Sequence, residues 1–306
     1  MFSFFTNKKL PVFTVFLVFF LASLIVRGSD IEKDKEEYIR VVRNPKKQVT
    51  ALETAVVHFK SDAPANKANG VNEEDSPTVD LIGAVHVGDR EYYETLNDLF
   101  TKYDVVLYEL VTGDPESIPS PETIRKHADR EKNPVAAMQG NMAKSLKLEH
   151  QLHYINYKKK NMVHADMSDE QLHKRMFEDG EFGKLIGRAF LDSLARNDKN
   201  AKTQGRMFAS LFAKDKSLAI KRAMAMEISE EIESQLYILD GKGSTLIAER
   251  NAIALEKVRE QMDQGKKKIA VFYGAAHLYD FAKRLDRDFN MKPTRITWIK
   301  AWDMTK

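Results

Sequence analysis

Two tetrapeptides of the form Gly-x-x-His, Gly83–His86 and Gly274–His277, stand 191 residues apart, each directly behind an apolar run of strand character. In such a run the chain arrives buried, the glycine lets the backbone turn without a side-chain clash, and the histidine emerges at the carboxyl edge. Ligands of open α/β sheets bind in the crevice outside those carboxyl edges. Glu109 follows Val105–Tyr108 and Asp166 follows Met162–Ala165 in the same manner, so four ionisable residues are predicted at four strand ends. Two histidines and a carboxylate are a common ligand set for a divalent ion such as Mn²⁺, Co²⁺ or Zn²⁺, and an open coordination position acidifies water for hydrolysis. The expected metal ligands are His86, His277 and Glu109, with Asp166 as a supporting residue or base. The competing reading of each histidine is a hydrogen-bonded structural residue at a strand end.

The elements that would position these groups are legible in outline. Thr78–Val85 and Asp104–Leu110 are strand-like, and between them Tyr93, Leu96, Leu99 and Phe100 recur at helical spacing. Strand, helix and strand in this compass form a βαβ unit, which favours a parallel pair. Asn161–Met167 reads as a further strand, followed by Ser168 as an N-cap with Gln171 at the capping-box position. Ser244–Gln264 and Leu278–Leu285 read as helices, and Lys268–Tyr273 and Thr294–Ala301 as strands. Thr54–Lys60 has the β-branched content of a strand, joined to the next by a loop over Ser61–Pro77 in a hairpin connection. The expected fold is α/β: a mixed, mainly parallel central sheet flanked by helices, with a large helical insertion over about residues 115–264. Met residues in the stretch Arg206–Ile228 are read as core filling.

GAVHVGDREYY, VVLYELVTGDP, AERNAIALEKV and KIAVFYGAAHLYDF, in this order, resemble the TraB/PrgY and GumN group, which is related to the Tiki metalloproteases. The broad superfamily includes the erythromycin esterases and the haem-binding ChaN proteins, and the likeness spans roughly Thr78–Lys300. The resemblance implies an EreA/ChaN-like fold and a metal-dependent peptidase in which His86, His277 and Glu109 are essential. It also implies a role for Arg250, with Asn251 beside it, where a cation suits a developing oxyanion or a substrate carboxylate. The alternative for Arg250 is a surface salt bridge to Glu249 or Asp280. Bacterial TraB/PrgY proteins usually carry transmembrane helices after the domain, and none is expected over Thr78–Lys306, which is closer to the GumN-like pattern. The remaining readings of the same cleft are a non-catalytic peptide- or haem-binding protein and a metal-free esterase, with a motif histidine as general base oriented by Glu109.

Other candidates carry less. His150 and His153 are three apart on an expected helix, a spacing that can bind metal, with a solvated helical face as the favoured reading, and His164 is read as structural. Gly241-Lys242-Gly243-Ser244 lacks the spacing of a phosphate loop, and there is no HExxH or GxSxG.

Composition sets the outer bounds. Lys8 and Lys9 precede an uncharged apolar run from Leu10 to Val26, the layout of an export signal with a cut after Gly28. The run also nears the lower limit for a spanning helix, so an uncleaved N-terminal anchor is the alternative. The organisation read from this is a signal or anchor over 1–28, a charged segment with one strand and a loop over 29–77, and the α/β domain over 78–306. The chain is placed in the periplasm, secreted, or tethered to the membrane by its N-terminus. Without Lys8, Lys9 and Arg27, 45 basic residues face 45 acidic ones, so no basic footprint advertises nucleic acid. The expected partner is a peptide or another small exported substrate. The absence of cysteine excludes disulfides, thiolate metal sites and a cysteine nucleophile.

Overall fold

A computed structural model describes residues 38–61, 76–127, 146–180, 206, 209–210, 212–242 and 245–305. The N-terminal export or anchor segment, most of the loop over 61–77, parts of the expected insertion and Gly243-Ser244 lie outside these residues. Among the described residues no helix is long and apolar enough to cross a membrane.

The centre is a seven-stranded mixed sheet in an α/β arrangement. Its strands are β1 (Ile39–Arg43), β2 (Val49–Ser61), β3 (Thr78–Ala84), β5 (Val105–Tyr108), β7 (Met162–His164), β8 (Lys268–Gly274) and β9 (Met291–Asp303). The order is β1-β2-β3-β8-β5-β7, with β9 on the other side of β2. β9 runs along β2 from Ala51 to Ser61, so β1 and β3 must share the opposite edge of β2, one after the other. β2 is antiparallel to β1, β3 and β9, while β3, β8, β5 and β7 are mutually parallel. Hence every strand of the sheet except β2 runs in one direction. A separate two-stranded ribbon pairs β4 (Val87–Gly88) with β6 (Glu149–His150).

The central strands are buried on both faces, which is why they read as continuous apolar runs. In β8, Ala270 and Phe272 face a core shared with α1 (Arg90–Phe100) and α4 (Lys216–Lys242). Ile269, Val271 and Tyr273 face the opposite core, shared with α5 (Thr245–Asp263) and α6 (Leu278–Phe289). Helices therefore cover both faces. Met224 and Met226 pack partly buried against the α1 core, as expected of filler residues. After the short α2 (Pro121–His127), the capping box at α3 (Asp169–His173) is formed, with Ser168 and Gln171 satisfying each other's backbone amides. A π-helical turn, Lys174–Glu178, continues it.

Three expectations change. The charged segment over 29–77, expected to hold one strand, holds two, because Val41 and its neighbours form β1 and pair with Ala51–Thr54 of β2. His150 and His153 sit not on a helix but on β6 and the 3₁₀ turn Gln151–His153. β3 and β5 are parallel but not adjacent, since β8 lies between them. β8 carries an unbroken run, Ile269–Tyr273, with relative exposure of 1% or less, so the centre of the sheet is the place where both its faces are covered.

Candidate functional site

The strand order sets out the candidate residues in sequence along one edge. His86 follows β3, His277 follows β8, Glu109 follows β5 and Asp166 follows β7. Tyr92 and Tyr93, on the buried face of α1, donate to the carbonyls of Gly83 and Val85 at 3.0 and 3.1 Å and so fasten the first motif. The His86 carbonyl accepts from the Gln151 amide at 2.8 Å, and the β4–β6 ribbon begins at the next residue. The second motif closes differently: Gly274 ends β8, Ala275–His277 forms a 3₁₀ turn, and α6 starts at Leu278.

Glu109 continues the ladder, its amide donating to the Phe272 carbonyl at 3.0 Å. Its Oε2 accepts from the Gly274 amide at 2.6 Å and its Oε1 from Arg250 Nη2 at 2.6 Å. Arg250, on α5, also holds Asp166 with two bonds, Nε to Oδ1 at 2.8 Å and Nη2 to Oδ2 at 2.6 Å. Asp166 Oδ1 further accepts from the Met167 amide at 2.8 Å. Arg250 is thus buried between two carboxylates. The surface salt bridge offered as its alternative is not made, because Glu249 pairs with Arg175 and Asp280 with Asn251 and Arg284. An arginine fixed by two carboxylates orients them, and its charge is already matched before any anionic group approaches.

His277 is buried, with the rings of Tyr273 and Phe281 beside it at 5.2 and 6.3 Å. Its Nδ1 lies 2.6 Å from Asn251 Oδ1, and its Nε2 lies 3.7 Å from Glu109 Oε1. Since Asn251 Oδ1 accepts, Nδ1 carries the hydrogen and the Nε2 lone pair faces the carboxylate. Burial pushes the His277 pKa down to about 4 against the raising influence of Glu109, so the ring is neutral near pH 7. Burial likewise lowers the His86 pKa, opposed by the Glu109 charge and by a side-chain interaction with Gln151. Burial alone would raise the Glu109 carboxyl, but Arg250, the two histidines and the Gly274 amide hold it below the ordinary range. With Glu109 and Asp166 as carboxylates, Arg250 as a cation and both motif histidines neutral, the cluster carries one net negative charge.

For a metal, the fit is good in one part. Ligands at about 2 Å from one ion stand roughly 3–4 Å apart, and His277 Nε2 and Glu109 Oε1 meet that separation with two electron-pair donors facing each other. Among the described residues, however, no group of three or more His, Cys, Asp or Glu side chains is drawn up around one point to hold an ion. His86 is near enough to Glu109 for each to shift the other's pKa, without forming such a group.

His164 is structural, its Nε2 lying 2.6 Å from the Leu110 carbonyl. Gln151 was not among the residues singled out in the sequence, and His150 and Asp280 were not expected at this site. Gln151 and His150 reach the site because β6 pairs with the strand that follows His86, and His150 has its pKa pushed down to about 3 by burial and by His86 and His153. Asp280 braces Asn251 at 2.8 Å. No periodicity or motif in the chain links residue 150 to residue 87; the helical offset from His277 to Asp280 was the one usable signal. A comparison with family models, curated proteins and solved structures finds no match.

Proposed function

We propose that the protein is a metal-dependent hydrolase whose centre lies between His277 and Glu109. One observation carries this reading: two buried electron-pair donors, the Nε2 of a neutral imidazole and a carboxylate oxygen, face each other at 3.7 Å. Arg250 already donates to that carboxylate oxygen, while the imidazole lone pair facing it has no hydrogen to offer, and a cation shared between the two would turn their mutual repulsion into attraction. The net negative charge of the cluster selects a cation for that place.

His277 and Glu109 would hold a divalent ion, Mn²⁺, Co²⁺ or Zn²⁺, with His86 as the third protein group at the same edge. Such an ion supplies Lewis acidity that lowers the pKa of water into the working range. The chain's own residues do the rest. Asn251 keeps the His277 lone pair pointed inward. Arg250 and the Gly274 amide fix the Glu109 carboxylate, and Arg250 holds Asp166 at the far wall. His86 stands after β3, the strand next to β8, near enough to Glu109 for each to shift the other's pKa. A peptide as substrate, and kinship with the TraB/Tiki group in an EreA/ChaN-like fold, rest on the ordered motifs alone.

The test is elemental analysis and Mn²⁺, Co²⁺ and Zn²⁺ titration of the purified protein, beside Glu109→Gln and His277→Gln. Near-stoichiometric binding lost in both variants is the expected result; no binding by the wild type overturns the reading. Cleavage of peptide pools that survives exhaustive chelation would instead place the chemistry on His86 without metal, as in an esterase. Retention of peptide or haem without cleavage would make the cleft a binding site.

A further inference from the structure

The direction of the His277 lone pair depends on which way the Asn251 amide is turned, and the amide is turned by a residue outside the cluster. Asn251 Nδ2 lies 2.8 Å from Asp280 Oδ2 and 3.2 Å from the His277 carbonyl oxygen. Both are acceptors, so the amide nitrogen must face them and the amide oxygen must face His277 Nδ1. Asp280 stands in the first turn of α6, and Arg284, one turn on, donates from Nε to the same Oδ2 at 2.8 Å. Of the two acceptors, the His277 carbonyl is the more distant and is neutral. A charge-assisted bond is roughly twice as strong as a neutral one. The hold on the amide therefore comes mainly from Asp280. Without it, an inverted amide would present its NH₂ to Nδ1. The imidazole hydrogen would then move to Nε2, where it points at Glu109 and closes the seat to a cation.

We propose that Asp280, steadied by Arg284, is a positioning residue that acts through Asn251 to keep His277 in its Nδ1–H tautomer, with Nε2 open toward Glu109. Its consequence for ion binding rests on the reading above; the tautomer itself does not.

The experiment is two-bond ¹⁵N–¹H NMR of the imidazoles in the full chain, made metal-free with chelator, followed by Mn²⁺ titration of the same samples. The nitrogen shifts separate a protonated from a bare ring nitrogen. The wild type is expected to show Nδ1–H at His277. Asp280→Leu should lose that single tautomer and bind Mn²⁺ about 10- to 100-fold more weakly, the usual effect of removing an outer partner of a ligating histidine. Asp280→Asn, which keeps an acceptor oxygen, should retain it. In the Asp280→Leu, Asn251→Asp double variant the carboxylate accepts with either oxygen, so the Nδ1–H form should return. A folded Asp280→Leu protein with an unchanged Nδ1–H signal overturns the assignment. So does Nε2–H in the wild type, a result that needs no variant to fold. A wild type with the expected tautomer but no affinity for Mn²⁺, Co²⁺ or Zn²⁺ would sink the metal reading and support the positioning role.

Discussion

Gly274 and Glu109 are in contact through backbone and carboxylate: the Gly274 amide donates to Oε2 at 2.6 Å, and a Cβ built on Gly274 would stand 3.2 Å from that same oxygen. The glycine of the second motif is thus explained by the close approach of the neighbouring strand's carboxylate, since its φ of −49° suits any residue. Gly83 differs, because a Cβ there would meet the Ala55 backbone carbonyl and Leu278 Cδ2, both at 3.3 Å. Gly83→Ala should therefore cost more stability, about 1–3 kcal/mol, because a ladder carbonyl cannot step aside. Gly274→Ala should be milder in stability yet weaken ion binding by displacing Glu109. Denaturant melts beside Mn²⁺ titrations of both variants check the pair of outcomes.

Arg250 is expected to be a strong point of stability as well as of the site. Arg250→Met strands two buried carboxylates and should cost about 3–5 kcal/mol in urea unfolding. Adding Glu109→Leu and Asp166→Leu removes the stranded charges, and most of the loss should return while ion binding stays absent. A single Arg250→Met protein as stable as the wild type would contradict the burial of this triad.

The buried histidines make stability depend on pH. His277, with a folded pKa of about 4 against an ordinary 6.5, takes up its proton more readily when unfolded. Its contribution is complete above pH 6.5 and is lost as the pH falls toward 4, with a slope of up to about 1.4 kcal/mol per pH unit. His150, pushed to about 3, adds in the same direction. His277→Gln should flatten the curve between roughly pH 6.5 and 4 by about one proton, measured by denaturation in the presence of chelator.

Lys221 ties α4 to the chain beyond the first motif. Its Nζ reaches Asp89 Oδ1 at 2.7 Å and the Asp303 carbonyl at 3.0 Å, with 8% of the side chain exposed. Lys221→Met keeps the length but leaves Asp89 without this cation, and should cost about 1–3 kcal/mol. Hydrogen exchange should quicken first in α4 and at Val87–Asp89.

Much of this protein could be read before any coordinates. The strand-ending positions of His86, Glu109, Asp166 and His277, the Ser168 capping box and the helix bearing Arg250 and Asn251 follow from period, cap chemistry and glycine placement, all local properties of the chain. What the sequence did not contain was adjacency. The βαβ pattern suggested that β3 and β5 are neighbours, and only the packing of the whole sheet inserted β8 between them, which seats His277 beside Glu109. The pairing of β4 with β6, which brings His150 and Gln151 to His86, joins segments about sixty residues apart by backbone hydrogen bonds that any side chains would allow. Arg250 likewise reads as a helical cation of either a surface or a site. Its burial between Glu109 and Asp166 was decided by α5 lying across the ends of β5 and β7, because burying one charge is favourable only where the fold delivers its partners.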